Sequence, residues 1–436
     1  MRRRRAGAAV VLGTRPEVVK LAGVIRGLGA DAQVVHTGQH YDDVLSGGIF
    51  RGLGLPEPQV AIEGTGGLCR VRQMGSMISE LGRTLEAVRP RVVVVQGDTN
   101  SASSAAQAAH YLGIAVVHVE AGLRSHDRSM PEEINRRVIG VLADVHCAPT
   151  ETARANLLSE GVAAERVHLT GNTVVEAVLE SLPGPCFQAR VLLEHRVDPG
   201  SFVLATVHRP ENTDDPERLG MVLRELAGLG MPVVLPIHPR TEALAEAFGL
   251  GRLLDLLRVV APVDHATFLA LAHAARLLVS DSGGVQEECT VLKKPLVIVR
   301  NNTERPEAVD GGFAVLAAPG PEIGLKAGAM LRDPDLPARL AARPSPFGDG
   351  RASDRIVALT RSLFEGGVPA TRRSSEQPAV PSSTGTAQPF LGLRAPDGPN
   401  PSGGTLCTDH PTPARPQPAP PSPPREAAAA TPCTSS

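Results

Sequence analysis

The chain contains no Cys-x-x-Cys pair, no Gly-Lys dipeptide, and no apolar run approaching the ~20 residues that a membrane-spanning helix needs. Each absence removes a class of protein. The cysteines Cys69, Cys147, Cys186, Cys289, Cys407 and Cys433 are scattered, which argues against a zinc ribbon or a disulfide framework and fits a reducing cytoplasm. Without Gly-Lys there is no G-x-x-x-x-G-K-[ST] loop, and no G-x-G-x-x-G fingerprint occurs either. Both a P-loop NTPase and a nicotinamide-dependent enzyme are thereby disfavoured. Histidines and carboxylates follow no H-E-x-x-H or comparable metal spacing, so no metal ligand is assigned, although Mg²⁺ sites have no fixed spacing to look for. A net charge of −2 over 436 residues gives no bulk electrostatic reason for nucleic acid as a partner. The opening Met1-Arg2-Arg3-Arg4-Arg5 and the apolar Ala6 to Leu12 have the outline of a signal peptide. The apolar part stops at Gly13-Thr14-Arg15-Pro16-Glu17 with no convincing cleavage site, so a first buried strand with a basic overhang is expected.

What is present is a β-α rhythm. Short β-branched runs at Ala8–Leu12, Ala32–His36, Val92–Gln96, Ala115–Glu120 and Asp144–Ala148 are near-continuously apolar, as strands buried on both faces of a parallel sheet are. Helical periodicity fills Glu17–Leu28, Met74–Val88 and Ser101–Leu112 between them. A second series follows: Phe202–Val207, Pro232–Pro236, Arg258–Val260, Leu277–Ser280 and Leu296–Arg300. The expected architecture is α/β, with two doubly wound parallel-sheet domains over residues 1–173 and 174–365 and an active-site cleft between them. Residues 366–436 are rich in Pro, Ser and Ala, lack periodic apolar positions, and are expected to be a disordered tail.

Charged and glycine-rich runs stand where such sheets place a site. Ser280-Asp281-Ser282-Gly283-Gly284 follows an apolar run and opens a helical segment, a turn that suits a phosphate or merely joins strand to helix. Arg300 and Arg305 lie close enough in sequence to add full charges there. Arg15 and Lys20, around Pro16 at a helix start, can clamp a diphosphate or stand as exposed cations. Asp98, Glu120 and Glu132 follow successive units. Each has an ordinary alternative, a cap for Asp98 and a helix-dipole partner for Glu132, but converging they would crowd like charges and raise one another's pKa values. His208 and His238 close two strands of the second series.

Together these runs resemble the non-hydrolysing UDP-N-acetylglucosamine 2-epimerases. The matching words are GTRPE (13–17), TGQH (37–40), GDTNS (97–101), HVEAGLRS (118–125), PEEINRR (131–137), GNTVV (171–175), HRPEN (208–212), SDSGGVQEE (280–288) and TERPEAV (303–309), in family order across roughly residues 7–365. The resemblance implies a GT-B-like fold of two Rossmann-like domains, with the last helix crossing back to the first. It implies elimination of UDP across C1–C2 of the sugar and re-addition with inverted C2, without a cofactor. Asp98, Glu120 and Glu132 would supply acid and base, and His208 and Arg15 would contact the diphosphate, with Lys20 also in the substrate site. Ser282, Gly283 and Gly284 would bind phosphate, Glu288 the ribose hydroxyls, and Arg305 the charge near the glycosidic oxygen. Phe268 matches an aromatic near the uracil pocket, or belongs to the core. A cytoplasmic homodimer feeding cell-surface polysaccharide synthesis is the corresponding expectation, with no membrane partner.

Two positions depart from the family's pattern: Asp42 stands where bacterial members with an activating second substrate site carry glutamine, and Val263 replaces a glutamine near the base-binding loop. A hydrolysing UDP-sugar 2-epimerase, an epimerase of a modified UDP-GlcNAc derivative, a GT-B glycosyltransferase and a catalytically silent UDP-sugar binder are the rival readings.

Overall fold

Every residue of Ala8–Leu12 and of Val92–Gln96 is buried, and the strand alternation explains how. Ala8, Val10 and Leu12 face one apolar layer, which includes Leu21 and Ile25 of the helix Arg15–Leu28. Ala9 and Val11 face another, which includes Met77, Leu81 and Leu85 of the helix Arg70–Val88. A strand covered by helices on both sides must be apolar at successive positions, which is why these runs read continuously.

The computed structural model describes residues 7–39 and 43–366. The basic overhang, His40 of the TGQH run, Asp42 and the tail from residue 367 onward lie outside the described residues. Among the described residues the strands are β1 (Ala8–Leu12), β2 (Ala32–His36), β3 (Val60–Ala61), β4 (Val92–Gln96), β5 (Ala115–Val119), β6 (Val145–Ala148), β7 (Val167–Leu169), β8 (Val203–Thr206), β9 (Val233–Pro236), β10 (Arg258–Val260), β11 (Leu277–Ser280), β12 (Leu296–Val299) and β13 (Ala314–Ala317). They form two sheets with parallel pairing throughout, in the orders β3-β2-β1-β4-β5-β6-β7 and β10-β9-β8-β11-β12-β13. The expected strands are all present, within a residue or two at their ends. β3, β7 and β13 were not anticipated; each is a short strand at or next to a sheet edge.

Both sheets reverse direction once. In the first, Val10 of β1 pairs with Val34 on one side and Val94 on the other. In the second, Leu204 of β8 lies between Val234 and Leu278. Chain leaving two neighbouring strands in opposite directions opens a crevice at their carboxyl ends, and that is where open α/β sheets bind ligands.

The chain also returns to where it began. Helix Ala352–Gly366 packs against Arg15–Leu28, with Ala352, Ile356 and Val357 in the same apolar layer as Leu21 and Ile25. The two crossings between sheets meet at Gly171 (φ 83°) and Gly348 (φ 117°), and the backbone N–H of Asn172 donates to Phe347 O at 2.7 Å. A Cβ on Gly348 would sit 3.1 Å from the Gly171 Cα, so glycine is needed for the chains to pass. Among the described residues no helix is long and apolar enough to cross a membrane.

Candidate active site

The first crevice is built by the loops after β1, β4 and β5. At β4, Thr99 caps the helix Asn100–Tyr111 by accepting the Ala102 N–H, so Asp98 is not needed as the cap. Asp98 Oδ2 instead accepts from Arg136 Nε at 2.8 Å and lies 2.6 Å from Arg136 Nη2. Arg136 in turn is held by Glu133 at 3.0 Å, one turn back on the helix Pro131–Leu142. Glu132 lines the same cleft and, among the described residues, its side chain has no hydrogen bond or ion pair.

Glu120 follows β5 with φ 63°, a left-handed conformation that a non-glycine residue adopts at a cost of order 1–3 kcal/mol. Its side chain is buried. Oε2 accepts from Lys20 Nζ at 2.5 Å and Gln96 Nε2 at 2.9 Å, and Oε1 accepts from Arg305 Nη2 at 3.2 Å. Burial, then the like charge of Glu287, push the Glu120 carboxyl above its ordinary value, against the pull of Lys20 and Arg305. Crowding was expected from Asp98 and Glu132; the like charge that acts on Glu120 comes instead from the second domain.

The second crevice lies after β8 and β11. Asp281 is wholly buried and ties the two loops together, accepting the backbone N–H groups of His208 and Arg209 and the Asn212 side chain. His208 Nδ1 is 3.2 Å from the same carboxylate. The helix Gly283–Leu292 begins in this crevice with Ser282 as its cap residue, and no side chain satisfies its first N–H groups. Those donors and the helix dipole make an anion site. Arg305 packs directly on the turn: a Cβ on Gly283 would come 2.7 Å from its Nη1. Glu288 lies in hydrogen-bond contact with His265 Nε2 at 3.1 Å. Phe268 lines the cleft and also packs against the second domain's apolar core.

These two crevices face each other across a cleft of ≈ 1120 Å³. Asp98, Glu120, Glu132, Arg15 and Lys20 line it from the first domain. His208, Phe268, Ser282, Gly283, Gly284, Glu288 and Arg305 line it from the second. Arg300 does not line it. That guanidinium is buried on Glu304 at 2.7 Å, with Glu211 3.4 Å from its Nε, so its charge is spent inside the protein rather than offered to a phosphate.

Across the domain boundary the charges interlock. Glu287 accepts from Lys20 Nζ at 2.7 Å, Arg305 Nε at 2.6 Å and Asn172 Nδ2 at 3.1 Å. Burial would raise the Glu287 carboxyl, but Arg305 and Lys20 outweigh it and hold it below its ordinary value. Glu304 accepts from Arg305 Nη1 at 2.6 Å and sits 3.9 Å from both Arg136 and Arg209. Its four arginines likewise overcome burial and keep it ionised well below the usual carboxylate range. Glu287, Glu304, Asp281, Arg136 and Gln96 were not singled out from the sequence. A signal existed for one of them: Glu287 and Glu288 are consecutive on a helix, about 100° apart, so one must face away from any ligand the other holds.

A family model described as UDP-N-acetylglucosamine 2-epimerase matches residues 26–361. The UDP-N-acetylglucosamine 2-epimerase of Methanocaldococcus jannaschii is 37% identical over 366 residues, covering 80% of this chain and 98% of that protein. Its crystal structure in complex with UDP-GlcNAc and UDP superposes with a TM-score of 0.74, covering 82% of this chain and 99% of the other. The Neisseria meningitidis UDP-GlcNAc 2-epimerase bound to UDP-GlcNAc also gives a TM-score of 0.74 at 31% identity, covering 82% of this chain and 100% of that one. The chain belongs to the UDP-N-acetylglucosamine 2-epimerase family.

Proposed function

We propose that this protein converts UDP-N-acetylglucosamine into UDP-N-acetylmannosamine without net hydrolysis. The observation that carries the reading is the opposition of two unlike walls across one cleft. Carboxylates line the first domain's wall, and a free helix start with His208 and Arg305 lines the second. UDP binds the second wall: its diphosphate takes the Ser282 hydroxyl and the N–H groups at Gly283 and Gly284, its ribose takes Glu288, and its base lies near Phe268. Arg15, which has no partner among the described residues, closes on the diphosphate from the other side. Lys20 joins it with the one ammonium N–H left after its two carboxylate bonds.

The sugar then lies against Asp98, Glu120 and Glu132. One carboxylate takes the C2 proton while the C1–O bond breaks, UDP leaving with the bonding pair and the sugar becoming the C1–C2 alkene 2-acetamidoglucal. Return of a proton to the opposite face of C2, with the UDP oxygen re-forming the C1 bond, gives the epimer. Acid–base groups near C2 and cations on the departing diphosphate are what this sequence requires. Retention of UDP by both walls is what separates epimerisation from release of the free sugar.

The domains at residues 1–173 and 174–365 are the two halves of this grip, the last helix of the second crossing back onto the first. The same reading makes the protein a cytoplasmic homodimer whose product enters cell-surface polysaccharide. Incubation with UDP-GlcNAc in deuterium oxide tests it: UDP-ManNAc carrying deuterium at C2 is expected. Release of N-acetylmannosamine and UDP as the main products would identify a hydrolysing enzyme instead, and unchanged, unlabelled substrate would overturn the reading.

A further inference from the structure

Glu287 does not line the cleft, and its side chain is wholly buried. Both its oxygens are engaged, Oε1 by Arg305 and Asn172 and Oε2 by Lys20. It therefore touches no substrate and carries no proton in the reaction, yet a charge has been retained where burial opposes it. Charge counting suggests why. Lys20 and Arg305 both sit on Glu120, with Glu304 on the far side of Arg305; Glu287 places a second anion between the same two cations.

We propose that Glu287 is a positioning residue for Glu120: reaching across the domain boundary, it takes a share of Lys20 and Arg305, so that Glu120 is held by both cations without being locked into its ionised form by them. The inference rests on the reading of Glu120 as an acid–base group. The groups facing the Glu120–Glu287 pair are Lys20 from the helix Arg15–Leu28, Gln96 from β4, Asn172 from the segment after β7, and Glu304 and Arg305 from the loop after β12. The lift on the Glu120 carboxyl comes from burial and from Glu287, in that order, and is opposed by Lys20 and Arg305. Removing the charge of Glu287 thus acts twice in one direction: the repulsion goes, and Lys20 falls undivided to Glu120 while Arg305 is shared with Glu304 alone.

The test reads Glu120 directly, by the side-chain carboxyl ¹³C resonances of glutamate-labelled full-length protein, with Glu120 assigned by its loss in E120Q. In Glu287→Gln its titration midpoint is expected to fall by about one pH unit or more, ~10-fold in proton affinity. Glu287→Asp, which keeps the charge, should leave the midpoint close to that of the unsubstituted protein. Turnover of E287Q should drop about tenfold or more with KM for UDP-GlcNAc within about threefold, and E287D should recover part of it. Should E287Q not fold, Glu287→Met removes the same charge at similar length and should lower the midpoint likewise. A Glu120 midpoint unmoved in E287Q, or in E287M in its place, would make Glu287 a structural tie and overturn the proposal. If the protein fails to epimerise UDP-GlcNAc the functional reading falls, while the Glu120 midpoint still decides the role of Glu287.

Discussion

Asp281 holds His208 twice, accepting its backbone N–H at 3.1 Å and lying 3.2 Å from its imidazole Nδ1. The same carboxylate takes the Arg209 N–H and the Asn212 amide, so a buried group at the end of β11 shapes the loop after β8. With Nδ1 engaged in this way, the other ring nitrogen is the one left for a ligand. Asp281→Asn puts an amide N–H where three donors now converge. It should cost about 2–4 kcal/mol of stability, the scale of breaking charge-assisted buried hydrogen bonds, and reduce turnover at least tenfold. Urea unfolding and steady-state kinetics measure the two effects. A variant as stable and as active as the parent would show that His208 is oriented by something else.

Asp98 and Glu120 stand apart in how they are held, Asp98 by Arg136 and Glu120 by Lys20, Gln96 and Arg305. Asp98→Asn and Glu120→Gln keep side-chain size and remove one charge, leaving the Ser282-Gly283-Gly284 turn intact. Epimerisation should be lost in both, by about 100-fold or more as expected for removal of a general acid or base, while calorimetry still finds UDP bound. Unchanged turnover in either variant excludes that carboxylate from the chemistry.

Adjacent glycines in the phosphate turn have different neighbours. A methyl on Gly283 would meet Arg305 Nη1 at 2.7 Å and Glu304 Oε1 at 3.1 Å, and Arg305 is buried among three carboxylates and cannot swing aside. A methyl on Gly284 meets nothing nearer than Ser282 Oγ at 4.0 Å. Gly283→Ala should therefore destabilise the protein by about 1–3 kcal/mol, the usual cost of overpacking, whereas Gly284→Ala should fold with unchanged stability. Thermal unfolding of the two variants side by side checks the contrast; equal stabilities would mean that Arg305 yields.

The central strands were legible because burial on both faces leaves a continuous apolar run, as in Val92–Gln96. The edge strands β3, β7 and β13 were not. β7 is buried only at its first residue, and β3 has two residues, neither buried, so their sequences resemble connecting loop. A similar divide runs through the site. Asp98, Glu120 and His208 follow directly on an apolar run, and position alone marks them. Glu287 and Asp281 act through partners far along the chain: Lys20 is 267 residues from Glu287, and His208 is 73 residues from Asp281. Nothing local in a sequence records which distant cation a carboxylate meets. Arg300 failed as a candidate for a different reason: its partner Glu304 is only four residues away, but the pair turns into the interior of the fold.

Glu17 gives the pH dependence that is easiest to isolate. Its carboxylate sits under the first crevice, accepting the Gly13 and Thr14 N–H groups and the Thr14 hydroxyl on one oxygen and the Thr99 hydroxyl on the other. It thereby joins the loop after β1 to the loop that carries Asp98. Burial raises its pKa from the ordinary 4.5 to about 7, over the opposing effect of those hydrogen bonds. A carboxyl that binds its proton more tightly when folded contributes stability in full below pH 4.5 and loses it as pH climbs through about 7. The span corresponds to about 3 kcal/mol. Glu17→Gln mimics the protonated form and does not titrate, so the stability difference between parent and variant should change by that amount over the window and be level above it. Unfolding midpoints of both proteins from about pH 5 to pH 8 give the difference directly. A difference that stays constant across the window would show that Glu17 remains charged at the base of the site, with Thr99 and the two backbone N–H groups compensating its burial.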